Sequence, residues 1–419
     1  MMCSTNKKTV HATGGTRGKT NQIRRNSPLT VVLLSIFTLV SFSQCISSAE
    51  QEVQKLIPDN TVIAHRGTIY WAPELTEAAF RWARNSAADY LELDLHRSKD
   101  GHLVVMHDKT LKRTTNVGDL FPGRENEPIG SFTLDEILQL SAGSAFNQKN
   151  SGQARASYEK EGVLVFEDVF RIAEGKRIKR NADGSRLYTI TEGGEYLFEY
   201  EEDPADNGHR PGVYIETKST DSYPGLEKQI YEALTHFGWN QLEAGEQTNI
   251  SRDLYQEGKV NIGNTRGKVL VQTFSREGML QFKNNFNAQI PTSFLVKSPA
   301  PDDPDYETKI DEIIAFALEC GAQFIGTNVS IKDGMVQNKR FLEKIREAGL
   351  KINIYSFNTS QEMDAYFHHD EHGSSTPLLD GMITNRTDLT THYYHAQDRR
   401  SIKPSSDPEM ILDELGYAR

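Results

Sequence analysis

The chain has 419 residues, 37% of them hydrophobic and 9% aromatic, which suits one large domain or two ordinary ones with a full apolar core. Its net charge is −11, and six of its cations (Lys7, Lys8, Arg17, Lys19, Arg24, Arg25) stand before any acid, so the remainder is more acidic still and repels nucleic acid and anionic lipid headgroups. Only Cys320 lies beyond residue 45, which excludes a disulfide framework for the main body, and no Cys/His cluster suggests zinc.

The first element in chain order is the basic N-terminal stretch, followed by an apolar run over 29–42 broken only by Thr and Ser. Fourteen residues are too few to span a bilayer comfortably, and the small residues Ser47-Ser48-Ala49 come next. This is the shape of a secretory signal cut after Ala49, predicting a secreted or periplasmic protein with no stable membrane span in the mature chain. An uncleaved anchor is the competing reading. Cys45 follows Phe42-Ser43-Gln44, a poor context for lipidation. Residues 1–49 are thus set apart as a leader, 50–398 as the main body and 399–419 as a tail.

Apolar, β-branched runs over 62–65, 90–95, 103–107, 213–218, 269–273, 293–296, 324–327, 352–357 and 381–384 read as strands. Helical spacing separates most of them, most clearly at Leu226, Ile230, Leu234 and Phe237. Capping boxes at Thr133/Glu136 and Thr359/Glu362 mark two helix starts. Repeated strand–helix alternation predicts an α/β fold, and this many strands favour a closed (β/α)8 barrel; nine candidates leave one too many. The rhythm breaks over 108–212, which reads as an inserted subdomain between the third and fourth strands. It holds helices near 134–140 and 166–173 and a hairpin around Gly193-Gly194.

The chemistry gathers at strand ends. The first ends in His65-Arg66. In "LELDLH", Glu92 and Asp94 are two apart and share a face; in "VYIETKS", Glu216 and Lys218 do the same. The third candidate ends in His107-Asp108. Three acids facing one space repel each other unless a cation sits among them, and carboxylate oxygens suit Mg2+ or Ca2+. An Arg and a Lys beside an acid-bound metal suit a phosphate, and two His supply an acid–base pair near neutral pH. Each piece alone is common on ordinary strands; their joint occurrence points to phosphoryl-group chemistry.

At these residues the sequence resembles the glycerophosphodiester phosphodiesterase family, in "AHRG", "APELTEAAFRWA", "ADYLELDLHRSKDGHLVVMHDKTLKRTTN" and "YIETK", and more loosely in "VLVQTFS", "INIYSFN" and "LLDGMITN". "VGDLFPGRENEPIGSFTLDEI" further resembles the secreted, periplasmic branch. The resemblance implies a (β/α)8 barrel with a Ca2+ or Mg2+ ion held by Glu92, Asp94 and Glu216. It implies His65 and His107 as general acid and base, and Arg66 with Lys218 on the phosphate. The expected reaction releases glycerol 3-phosphate and an alcohol from a small glycerophosphodiester. Water or the neighbouring glycerol hydroxyl would be the nucleophile. A lysophospholipid or sphingolipid phosphodiester on the same site, or a non-catalytic surface module, are the alternatives.

Three departures stand out. Leu75 stands where the family usually has Asn, sometimes His; Asn385 replaces an acid near the last strand, and the proline soon after it is missing, both away from the catalytic strands. His96 shares the face of Glu92 and Asp94 but reads as a lip residue. His368, His369 and His372 read as a surface run. Gln272, Phe274 and Ser275 are candidate pocket walls, and Trp71 is either a substrate contact or a lid contact.

Overall fold

The computed structural model describes residues 45–218, 220–240, 251–286, 289–367, 377–404 and 407–419. Eight parallel strands form its centre: β1 (Thr61–Ala64), β2 (Tyr90–Arg97), β3 (Gly212–Thr217), β4 (Val269–Thr273), β5 (Thr292–Val296), β6 (Phe324–Asn328), β7 (Lys351–Phe357) and β8 (Gly381–Thr384). β1 pairs with both β8 and β2, which closes the sheet into the expected barrel. The strands are almost wholly buried, as β-branched and apolar runs covered on both faces must be. Around them run α1 (Glu77–Asn85), α2 (Phe166–Ala173), α3 (Leu226–His236), α4 (Arg276–Phe286), α5 (Tyr306–Glu319), α6 (Lys339–Glu347), α7 (Ser360–Phe367) and α8 (Thr387–Ala396), one after each strand. Both predicted capping boxes form: Thr133 and Glu136 exchange bonds at one helix start, Thr359 and Glu362 at another.

The surplus strand is the third candidate. Leu103–Val105 runs antiparallel to β2, with Leu95 opposite Val105 and Arg97 opposite Leu103. A parallel neighbour needs a crossover of about a dozen residues or more. Only seven separate Leu95 from Leu103, and they fold as a reversal in which Ser98 N–H meets His102 O at 2.9 Å and Gly101 takes φ +94°. The inserted subdomain therefore lies between the second and third barrel strands, not the third and fourth. It has an apolar core of its own, centred on Val104, Leu111, Phe132, Leu134 and Ile137. Its hairpin pairs Tyr188–Ile190 with Tyr196–Phe198 around Gly194, as the alternation predicted.

Both ends of the main body pack onto the barrel. Ile46 is buried and its N–H reaches Ala348 O, and the helix Ser48–Gln54 spans the position of the expected cut after Ala49. The described residues of the tail, 399–404 and 407–419, pack against the barrel wall instead. Arg400 is buried on Asp89 at 2.5 Å, and Trp82 of α1 donates to Pro408 O at the start of the helix Pro408–Glu414. Among the described residues no helix is long and apolar enough to cross a membrane.

Candidate active site

β2 and β3 carry the centre of the site. Their parallel register sets Asp94 beside Glu216 and Glu92 beside Tyr214, so Glu92, Asp94 and Glu216 project to one side at the C-terminal end of the barrel. All three are buried, with one oxygen from each within 4.8 Å of the others. Glu92 accepts from the Arg66 backbone N–H at 2.8 Å and from Gln272 Nε2 at 3.1 Å. Gln272, expected as a pocket wall, instead orients a carboxylate. Asp94 Oδ2 is buried without a hydrogen-bond partner, and Asp94 Oδ1 and Glu216 Oε1 meet only the Lys218 ammonium.

The electrostatics require a counter-charge. Burial, with Asp94 and Glu216 alongside, holds Glu92 well above the usual carboxylate range. Burial pushes Glu216 to about 7 even with Lys218 beside it. Burial would raise Asp94 too, but Lys218 and Arg66 outweigh it and hold that carboxyl low. Protein cations thus compensate one carboxylate of the three. A divalent cation with oxygen ligands would neutralise the set and give Asp94 Oδ2 a partner, so this donor set fits a hard metal ion.

The predicted cations and histidines gather around the acids. Lys218 Nζ lies 3.1 Å from Asp94 Oδ1 and contacts Glu216 Oε1. Arg66 Nε is 3.6 Å from Asp94 Oδ2 and has no hydrogen-bond partner, while Nη1 pairs with Glu74 at 2.9 Å. β2 continues past Asp94 and the antiparallel strand returns to it, with Met106 N–H on Asp94 O at 3.0 Å. His107 therefore arrives at the rim from the returning strand rather than from a third barrel strand. All seven predicted site residues come together.

The two imidazoles have different partners. His65 Nδ1 is 2.6 Å from Asn385 Oδ1. The Asn385 amide donates to Asn358 Oδ1 at 2.7 Å, so its own oxygen is the acceptor and His65 carries the proton on Nδ1, leaving Nε2 a free lone pair. Burial, then the Arg66 charge, lowers His65 to about 4. His107 Nδ1 instead meets the Asp108 carboxylate at 2.7 Å. Burial lowers His107 too, with Asp94 opposing.

Asn385, expected away from the catalytic strands, is thus a direct partner of His65, because β8 closes the barrel against β1. Glu74, Asp108 and Arg113 also belong to the site; "PE" and "HDKTLKR" carried them in the sequence, but nothing in the spacing joined them. His96 lies outside the triad, its Nε2 3.3 Å from His107 O and its ring against Tyr223. Trp71 packs between Tyr70 and Trp82, with the Arg386 guanidinium over its ring. His368, His369 and His372 lie outside the described residues.

Three buried carboxylates, two flanking cations and a pair of unlike imidazoles on the C-terminal rim of a closed parallel barrel suit phosphoryl-group chemistry. Residues 65–191 match the model of the Glycerophosphoryl diester phosphodiesterase family. It is similar to the glycerophosphodiester phosphodiesterase of Bacillus subtilis (strain 168), 26% identical over 373 residues, covering 88% of this chain and 97% of that one. A shorter match, 49% identical over 92 residues, joins 22% of this chain to 35% of the glycerophosphodiester phosphodiesterase of Caldanaerobacter subterraneus. A solved structure of a candidate glycerophosphoryl diester phosphodiesterase from Silicibacter pomeroyi DSS-3 has the same fold. It gives a TM-score of 0.55 at 15% identity and covers 84% of this chain and 98% of that one.

Proposed function

We propose that the chain hydrolyses glycerophosphodiesters to glycerol 3-phosphate and an alcohol, with Ca2+ or Mg2+ held by Glu92, Asp94 and Glu216. The observation that carries the reading is the buried three-carboxylate cluster flanked by Arg66, Lys218 and two unlike imidazoles. A bound divalent cation would withdraw charge from a phosphate oxygen and from the carboxylates themselves. Arg66, with its unpartnered Nε–H, and Lys218 bind the remaining phosphate oxygens. His65, held neutral with a free Nε2, accepts the proton of the nucleophile as its oxygen bonds to phosphorus. His107, whose cation the Asp108 carboxylate stabilises, protonates the departing alcohol oxygen as its bond to phosphorus breaks.

Replacing His65 or His107 by Ala should lower kcat by about two to four orders of magnitude. Activity on glycerophosphocholine within about threefold of wild type would remove that role. The acyl-bearing alternatives call for an apolar groove at the rim. A 520 Å3 groove does run past Leu103, Leu134, Val165, Phe198 and Phe237, but none of the seven site residues lines it.

The basic, apolar and small N-terminal segments support a secreted or periplasmic location, in the manner of the secreted branch of the family. Ile46 and the Ser47–Glu50 capping box give a reason for the mature chain to keep residues before Ala49. N-terminal sequencing of the exported protein locates the cut.

A further inference from the structure

Glu74 and Asp108 reach the site from different loops. Glu74 follows β1 and holds Arg66; Asp108 follows the antiparallel strand Leu103–Val105 and holds His107. One guanidinium lies between them. Arg113 Nη1 donates to Glu74 Oε2 at 2.7 Å, and Nη2 donates to Glu74 Oε1 at 2.7 Å. The same Nη2 donates to Asp108 Oδ1 at 2.9 Å, and Nε donates to Asp108 Oδ2 at 2.6 Å. Two carboxylates are thus held in bidentate fashion on two edges of one plane. An ammonium, whose donors radiate from a point on a flexible stem, cannot present two such pairs.

Each carboxylate is shared. Glu74 Oε1 accepts from Arg66 and Arg113 together, and Asp108 Oδ1 lies against both His107 and Arg113. Arg113 thereby fixes the group on which each working residue rests. Its own backbone is held by the insert. Leu111 is buried in the insert's core, Thr115 Oγ1 donates to Leu111 O at 2.6 Å, and Lys149 Nζ donates to Arg113 O at 3.1 Å. The insert, more than the barrel, sets where this guanidinium stands.

We infer that Arg113 is a positioning residue for the hydrolysis proposed above, fixing Arg66 through Glu74 and His107 through Asp108 at one mutual spacing. A phosphate grip and a proton donor that must meet the same phosphodiester gain from being held in register, since small misplacements of reacting groups are costly.

The test is steady-state hydrolysis of glycerophosphocholine by wild type, Arg113→Ala and Arg113→Lys, with and without low-millimolar guanidinium. Arg113→Ala should lose about 100-fold in kcat/KM, through lower kcat and higher KM together, and Arg113→Lys should recover no more than about threefold of that loss. The Arg113 side chain is 40% exposed, so free guanidinium can enter the vacated place and should restore at least about tenfold to Arg113→Ala and nothing to wild type. A purely structural role predicts no rescue, because low-millimolar guanidinium leaves folding stability essentially unchanged and fills no binding place. Activity of either variant within about threefold of wild type, or a folded Arg113→Ala that guanidinium does not rescue, overturns the inference.

A second measurement does not depend on turnover. In protein labelled with 15N-histidine, the His107 ring, assigned with His107→Ala, should hold its proton on Nδ1 in wild type and lose that preference in Arg113→Ala. An unchanged His107 signal overturns the inference. Failure of the wild type to release glycerol 3-phosphate would instead count against the hydrolytic reading alone.

Discussion

Leu75 stands at φ +57° with its N–H on Arg66 O at 3.0 Å. That left-handed conformation is one Asn adopts easily and Leu adopts at about 1–2 kcal/mol. The Asn usual in the family therefore has a backbone reason to be there. In this chain the buried Leu75 side chain, 3% exposed, packs into the main core and offsets the strain. Its place is in the support of the loop rather than in contact with phosphate. Asn385 is the more consequential departure. Replacing it with Asp would set a carboxylate against the His65 imidazole, favour its cation and raise its pKa from about 4. The acid limb of kcat/KM in Asn385→Asp should move to higher pH, with activity lost first near pH 5–6 and kept near pH 8. A superimposable pH profile would show that this contact does not set the basicity of His65. The Glu92/Asp94 and Glu216/Lys218 pairs were legible because strand alternation alone fixes their faces. The Asn385–His65 contact was not, since it rests on closure between the first and last strands.

At the scale of elements, the barrel's rhythm and its eight strands were readable, but which of the nine candidates was surplus was not. The run over 103–107 has the composition of any barrel strand; only the short, polar "HRSKDGH" before it distinguishes a reversal from a crossover. Residues 399–419 were misjudged for a related reason. Their apolar residues fall mostly in one short cluster over 410–417, yet Ile411, Leu412 and Tyr417 are all buried, and Tyr417 takes a hydrogen bond from Arg81. Fully burying side chains of this size contributes about 1.5–3 kcal/mol each. Removing residues 407–419 should therefore lower Tm by about 10 °C or more, read by thermal unfolding, because several kcal/mol is a large share of a domain's net stability. An unchanged Tm would mean that the helix Pro408–Glu414 is an ornament on the barrel.

For the whole molecule, acid is the expected weakness. His209, buried at 5% exposure, accepts the Val260 N–H on Nδ1 and is lowered to about 3, chiefly by burial and then by Lys259 and Arg400. The folded protein keeps this ring neutral while the unfolded chain protonates it near pH 6.5. Its contribution to stability is therefore present above about pH 6.5 and is lost as pH falls toward 3, by up to ~1.4 kcal/mol per pH unit. Denaturant midpoints should fall between pH 6.5 and 4, and less steeply in His209→Gln; equal slopes would exclude this histidine as a source.

Barrel and insert together bring three carboxylates, two cations and two imidazoles to one rim, and the claim that this rim is a metal-dependent diesterase has a direct test. Purified protein given glycerophosphocholine with Ca2+ or Mg2+ should release glycerol 3-phosphate and choline. Release should stop with EDTA, return when the metal is restored, and be lost in Glu216→Gln. No release with either metal added, or an undiminished rate in EDTA, would contradict it.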